Sequence, residues 1–240
     1  MPLLSQSNRD LRRDRVWTWS LPAWVTKLPD GRTVNTCPSA GECAPLCYAR
    51  KGTYQFSNVR GRHISNLLRI LDDLEAWELE MSTELDHPRF QGGHIRIHDA
   101  GDFFSDAYLE AWLRIARAHP ETIFYCYTKE IDRFRRLVEP AALSNFRSVY
   151  SFGGRQDHKI TEADRQCDVF PSDEKLEEAG FHDQADSDLL AIYGPARVGI
   201  VVNNHPGAVR AMRGLSLSEL QKARHPSGRA GTHPSPQRPK

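Results

Sequence analysis

His94-Ile-Arg-Ile-His-Asp99, Ala100-Gly-Asp-Phe-Phe-Ser105 and Thr122-Ile-Phe-Tyr-Cys-Tyr-Thr-Lys129 are the stretches whose reading decides the fold. The first and third have the length and the β-branched and aromatic content of strands. Between them Ser105 is placed to cap a helix, and Tyr108, Leu109, Trp112, Leu113 and Ala116 recur at helical spacing as far as Ala118. Strand, loop, helix and strand make a βαβ unit, which implies parallel strands joined by a right-handed crossover. Side chains alternate along a strand, so Ile95 and Ile97 share one face while Arg96 and His98 share the other. In the second strand Tyr125, Tyr127 and Lys129 oppose Phe124, Cys126 and Thr128. A strand sandwiched between helices is apolar on both faces. These strands pair an apolar face with a polar one. The expectation is a barrel-like sheet with Ile95, Ile97 and Phe124 against outer helices, and with Arg96, His98, Tyr125, Tyr127 and Lys129 toward a polar lumen.

The rest of the chain extends this pattern. Residues 16–24 read as a first strand and 29–31 as a turn. Residues 58–85 read as one long helix through Ile64, Leu67, Leu68, Leu71, Leu74 and Leu79. A short helix over 130–138 leads to a strand over 146–152, closed by Gly153 and Gly154. Residues 161–187 are polar and carry no clear period, 189–193 and 198–202 read as buried strands, and 216–223 as a last helix. The expected fold class is α/β, a partial or closed (β/α) barrel with a three-cysteine loop after the first strand. Residues 1–15 form a polar lead-in and 16–224 a single α/β domain. Residues 225–240 have the composition of a disordered basic tail.

Composition narrows the function. The net charge of +1 does not by itself call for a polyanionic partner. No apolar run approaches a membrane span, and the lead-in turns charged too early for a secretory signal. The expectation is a cytoplasmic protein without a membrane partner. In that reducing compartment cysteines point to metal or chemistry rather than to disulfides, and five of them cannot pair completely.

Three of the five, Cys37, Cys43 and Cys47, lie in Thr-Cys-Pro-Ser-Ala-Gly-Glu-Cys-Ala-Pro-Leu-Cys-Tyr-Ala, a stretch punctuated by proline and glycine. Soft thiolates select zinc, copper(I) or an iron–sulfur cluster. The gaps of five and three residues differ from paired zinc ligands. The expected cofactor is a [4Fe-4S] cluster on Cys37, Cys43 and Cys47, with zinc as the alternative. Three protein ligands leave one position open, and Cys167 or His205 is the candidate to fill it. Cys126, alternating with Phe124, reads as a small hydrophobe.

Ligands of parallel α/β folds gather at the carboxyl ends of strands. His98, Asp99, Asp102 and Lys129 fall there and are the candidate catalytic residues. Arg96, Tyr125, Tyr127 and Asn203 are candidates for binding a cofactor. Blander roles compete: Asp102 with Ser105 organising the helix start, a solvated Lys129, and a simple turn at 203–207. Two rival functions remain open. One is a divalent-metal hydrolase or nuclease centred on His98, Asp99 and Asp102. The other is a zinc-stabilised protein that binds nucleic acid through the basic tail. A small-molecule substrate is compatible with the cluster reading.

The cysteine stretch with Arg-Lys-Gly-Thr-Tyr after it, Arg-Ile-His-Asp-Ala-Gly-Asp-Phe-Phe-Ser-Asp-Ala-Tyr-Leu-Glu-Ala-Trp, and Phe-Tyr-Cys-Tyr-Thr-Lys together resemble the gene-88 product family of mycobacteriophages. The resemblance spans most of residues 16–210 and implies a phage-type protein. It carries no established activity. The chain is also similar, more weakly, to radical S-adenosylmethionine enzymes, which place three cysteines after the first strand of a partial barrel. That likeness implies a cluster whose fourth iron binds S-adenosylmethionine. The chain departs from that pattern in its cysteine spacing, in Tyr48 following rather than preceding the last cysteine, and in lacking Gly-Gly-Glu after the second strand.

Overall fold

Seven strands pair side by side in one parallel sheet, and a two-stranded hairpin stands apart from it. The structure is a computed structural model, and it describes residues 2–6, 8–202 and 206–225. In chain order the strands are β1 (Val16–Trp19), β2 (Val25–Lys27), β3 (Thr33–Asn35), β4 (His94–Ile97), β5 (Ile123–Thr128), β6 (Phe146–Ser151), β7 (Gln166–Phe170), β8 (His182–Asp183) and β9 (Arg197–Val201). The helices are α1 (Arg9–Arg13), α2 (Cys43–Leu46), α3 (Ser57–Asp72), α4 (Leu74–Leu85), α5 (Asp106–Ala118), α6 (Ile131–Leu137), α7 (Asp173–Glu178), α8 (Leu190–Tyr193), α9 (Pro206–Met212) and α10 (Leu217–Arg224).

The sheet runs β1-β4-β5-β6-β7-β9-β8. Its order climbs in one direction until the last step. Right-handed crossovers that always advance the same way put their helices on one face. There Leu67 and Ile70 of α3, Trp77 and Met81 of α4, Trp112 of α5 and Phe134 of α6 pack on Trp19, Ile95, Ile97, Phe124, Cys126 and Phe146. The other face buries Val16, Tyr125, Val149, Cys167 and Val198 beneath Leu11 of α1 and Ala191 and Ile192 of α8. The two-faced character read from β4 and β5 is thus the character of the sheet, and Cys126 lies in the helix-side core.

The barrel does not close. Among the described residues β1 and β8 remain separate edges. An antiparallel bridge from Ser5 covers β1, with Ser5 N donating to Thr18 O at 3.1 Å and Thr18 N to Ser5 O at 2.7 Å. The lead-in is therefore part of the packing: Leu3 and Leu4 enter the large core, and their amides donate to the Glu84 carboxylate.

Other expectations change in detail. The first strand ends at Trp19, and the Pro29–Gly31 turn joins β2 to β3 between it and the cysteines. The long helix is two, because Asp73 leaves helical geometry (φ −156°) and caps α4 by accepting from Ala76 N at 2.9 Å. Residues 189–193 form the helical turn α8 rather than a strand, and 166–170 supply a strand that the polar composition concealed.

Asn145 joins α5 to the sheet. Its side-chain nitrogen donates to Ala116 O at 2.8 Å, His119 O at 3.0 Å and Thr122 O at 3.1 Å, and its own backbone carbonyl accepts from Phe124 N at 2.7 Å. Asn145→Ala strands buried carbonyls at the end of α5. We expect it to lower the urea-unfolding free energy by about 1–3 kcal/mol with an unchanged far-ultraviolet circular dichroism spectrum.

Candidate functional site

The segment carrying the cysteines is tied across the carboxyl ends of β4, β5 and β6. Thr36 O accepts from Asp102 N at 2.9 Å, and Ser39 N donates to Glu130 Oε1 at 2.7 Å. Ala40 forms a bridge with Gly154, and Gly153 O accepts from Gly41 N at 3.1 Å and Cys43 N at 3.0 Å. Gly153 does this at φ +89°, and a Cβ there would lie 3.1 Å from Leu217 Cδ1 and 3.3 Å from Cys43 Cβ. Glycine gives both the left-handed backbone and the clearance. Glu42 N donates to Gln221 of α10 at 2.8 Å, and Arg224 closes the same side by pairing with the Glu42 carboxylate at 2.6 Å.

The three cysteines are not in one loop. Cys37 follows β3, Cys43 opens α2 and Cys47 caps its end. Each cysteine is half-buried and unoxidised. Burial raises all three thiol pKa values. Opposing that trend, Trp24 N donates to Cys37 Sγ at 3.3 Å, Lys129 faces Cys43 and Cys47, and the amides of Ala49 and Arg50 point at Cys47. Lys129 donates to Ser151 Oγ at 2.8 Å. Among the described residues no three His, Cys, Asp or Glu side chains converge as they would around a single metal ion. A polynuclear cluster makes a different demand, since its thiolates stand apart on separate irons.

Beside Cys47 the inner face of the sheet carries a second constellation. Arg96 pairs with Asp99 at 3.2 Å and with Asp188 at 3.3 Å, and its guanidinium lies 5.1 Å from the centre of the Tyr127 ring. Tyr125 and Tyr127 both donate to the Asp188 carboxylate, the latter at 3.0 Å. Tyr54 donates to the Asp99 carboxylate and Tyr48 to the Asp99 backbone carbonyl. Burial works against the charge on Arg96, but Asp188 and Asp99 outweigh it and hold the guanidinium protonated. Its Nε is buried without a partner. A cleft of about 260 Å³ between α1 and residues 184–188 opens onto Arg96, Asp99 and Asp188.

The candidate catalytic residues separate. Asp99 belongs to the Arg96 constellation. Asp102 is buried elsewhere, accepting from Thr128 Oγ1 at 2.7 Å, Phe103 N at 2.8 Å and Lys129 N at 2.9 Å. Burial raises its pKa against those donors. It ties the loop after β4 to the end of β5, while Ser105 caps α5 by accepting from Tyr108 N at 3.3 Å. His98 is not on the lumen side. A φ of 69° ends the alternation of β4 there, and the imidazole lies 4.6 Å from the Phe103 ring in the helix-side core. Tyr108 accepts from Trp19 Nε1 at 2.9 Å and shares a hydrogen bond of 2.9 Å with His98 Nε2, leaving a buried Nδ1 without a partner. His98, Asp99 and Asp102 therefore do not converge, which removes the geometric basis of the hydrolase reading. Cys167 is a buried residue of β7 rather than part of a loop. Asn203, His205 and residues 226–240 lie outside the described residues.

Asp188, Tyr48, Tyr54 and Gln184, whose Oε1 accepts from the Tyr127 hydroxyl at 3.2 Å, are the members that sequence reasoning missed. Gln184 comes from the stretch with no period and Asp188 from the position just after it, and only proximity to the cysteines marked the two tyrosines.

A profile of the gene product 88 family matches residues 2–231. The chain belongs to the gene product 88 family. Curated relatives in it are the Gene 88 protein of Mycobacterium phage L5, 30% identical over 114 residues, and that of Mycobacterium phage D29, 29% identical over 114 residues. Both alignments cover 42% of this chain, and they cover 46% and 45% of the two relatives. The aligned part is thus less than half of these gene product 88 proteins. No solved structure matches the chain. Among the described residues no helix is long and apolar enough to cross a membrane.

His98 yields a prediction about acid stability. Burial lowers its pKa from 6.5 to about 3. The unfolded chain therefore binds a proton between those values that the folded chain excludes, and stability falls as pH drops through that window. Urea unfolding at a series of pH values should show a shallower acid slope in His98→Asn than in the unaltered protein.

Proposed function

We propose that this gene product 88 protein is an iron–sulfur protein. In this reading Cys37, Cys43 and Cys47 hold a [4Fe-4S] cluster at the carboxyl edge of the sheet, leaving one iron open toward the Arg96 constellation. The observation that carries it is the set of three thiols, each raised in pKa by burial and opposed by an amide or a cation, on a segment hydrogen-bonded across three strand ends. Such thiols are costly as bare thiolates, and a cationic centre reverses that cost by taking them deprotonated. The donor set is all sulfur, which suits iron–sulfur chemistry.

A cluster bound there supplies electron transfer and a Lewis-acidic iron. The chain's own part is to position and to exclude. The Trp24, Ala49 and Arg50 amides would hold the sulfurs by hydrogen bonds, and Lys129 would offset their negative charge. Arg96 would bind the anionic end of a small ligand through its free Nε, with Tyr125 and Tyr127 fixing its guanidinium through Asp188. Use of S-adenosylmethionine as that ligand is the finer form of the proposal.

Anaerobically reconstituted protein should contain about four irons and four sulfides per chain. Cys43→Ala should lose most of both, while Cys126→Ala, altered in the helix-side core, should keep them. Colourless protein with stoichiometric zinc would sink the cluster. Absence of S-adenosylmethionine binding in calorimetry, with iron and sulfide intact, would remove that ligand and leave the cluster standing.

A further inference from the structure

Residues 43–71 contain Arg50, Lys51, Arg60, Arg62 and Arg69 and no aspartate or glutamate. Three of these cations already have a partner, Arg69 in Glu80, Arg62 in the backbone carbonyls of Pro2 and Leu3, and Arg50 in the carbonyl of Ala44 at 3.2 Å. Arg50, Lys51 and Arg60 are exposed and pair with no carboxylate among the described residues. A chain with net charge +1 thus gathers uncompensated positive charge on the stretch that begins at Cys43.

The same stretch leaves aromatic rings in water. Phe56 is 59% exposed and Tyr48 48% exposed, although large apolar side chains elsewhere are mostly buried. The Arg50 guanidinium stacks 4.6 Å from the centre of the Trp24 ring, and the Tyr48 and Tyr54 rings meet at 5.4 Å. Tyr48 joins this surface to the site, since its ring is half-exposed while its hydroxyl turns inward to Asp99. Cations interleaved with accessible rings, on a stretch of chain without acids, complement a chain of phosphates that carries free base faces. A duplex hides those faces within its stack. An anionic membrane would use the cations and favour rings free to insert, but the Trp24 ring is taken up by Arg50 and the Tyr48 hydroxyl by Asp99, which leaves Phe56 alone for that role.

We propose that Trp24, Tyr48, Arg50, Lys51, Phe56 and Arg60 form a docking face for single-stranded nucleic acid, which delivers a nucleotide to the edge where Cys47 and Asp99 lie. This surface requires no cluster, so it stands apart from the iron–sulfur reading.

Fluorescence anisotropy of the whole 240-residue chain with labelled single-stranded DNA and RNA 12-mers tests it. The affinity should fall with salt at a log–log slope of about −2, from three cations at about 0.7 each. Phe56→Ala should weaken binding about tenfold through lost stacking. Lys51→Glu with Arg60→Glu should abolish binding at moderate salt, and unchanged thermal melting of these surface variants would confirm an intact fold. Equal affinity for duplex, or equal competition by inorganic polyphosphate at matched charge, would overturn the proposal. So would sedimentation with phosphatidylserine vesicles in place of oligonucleotide binding. So would binding that survives the Phe56, Lys51 and Arg60 substitutions but is lost on neutralising Arg229, Arg238 and Lys240.

Discussion

Burial of the Arg96 guanidinium is the constraint around which the inner face of the sheet is arranged. Arg96 stands on the strand next to the β1 edge of a parallel sheet, in register with Thr18 of β1 and Tyr125 of β5. A charge in that position is tolerated only with partners, and leaving it unpaired would cost several kcal/mol. Asp99 and Asp188 supply them, and each carboxylate is in turn held by tyrosines. This one requirement brings together the end of β4, the turns after the cysteines and the segment before α8. The opposite face has no such demand and is filled by tryptophan, phenylalanine and aliphatic side chains.

The cysteine segment obeys a complementary logic. Its shape is set less by its own sequence than by acceptors on the sheet, chiefly the Gly153 carbonyl and the Glu130 carboxylate. Because parallel strands all end on one side, these acceptors lie along a single edge, and a segment that bonds to them is stretched over that edge. Cys43 and Cys47 therefore come close to Lys129, and Cys47 to the tyrosines that hold Asp99.

The alternation of β4 and β5 made the division of faces legible, because period two is a strong signal when one side is isoleucine and phenylalanine and the other arginine and tyrosine. The order of elements from β4 to β6 was legible for the same reason. The hairpin β2–β3 was hidden by its three-residue strands, of which only the turn left a trace. The break at Asp73 was hidden because its capping depends on one side chain inside an otherwise continuous period. In α8 a four-residue apolar run has no length by which helix and strand can be told apart. For His98 the periodicity itself misled. A single left-handed φ cannot be read from alternation, and it moved the imidazole to the opposite side of the sheet. The partner of Arg96 was illegible for another reason: Asp188 is separated from it by 92 positions, and only the fold brings the two together.

The packing of α10 on the cysteine turn joins distant parts of the chain. Gln221 and Arg224 hold Glu42, and His225 Nε2 lies 3.7 Å from the same carboxylate. Residues 41–43 are thereby gripped from two sides, by the Gly153 carbonyl and by α10. The bond from Glu42 to Gln221 closes a loop of 179 positions, so the geometry of the turn that carries Cys43 is bound to the docking of the last described helix and loosens when that helix comes away.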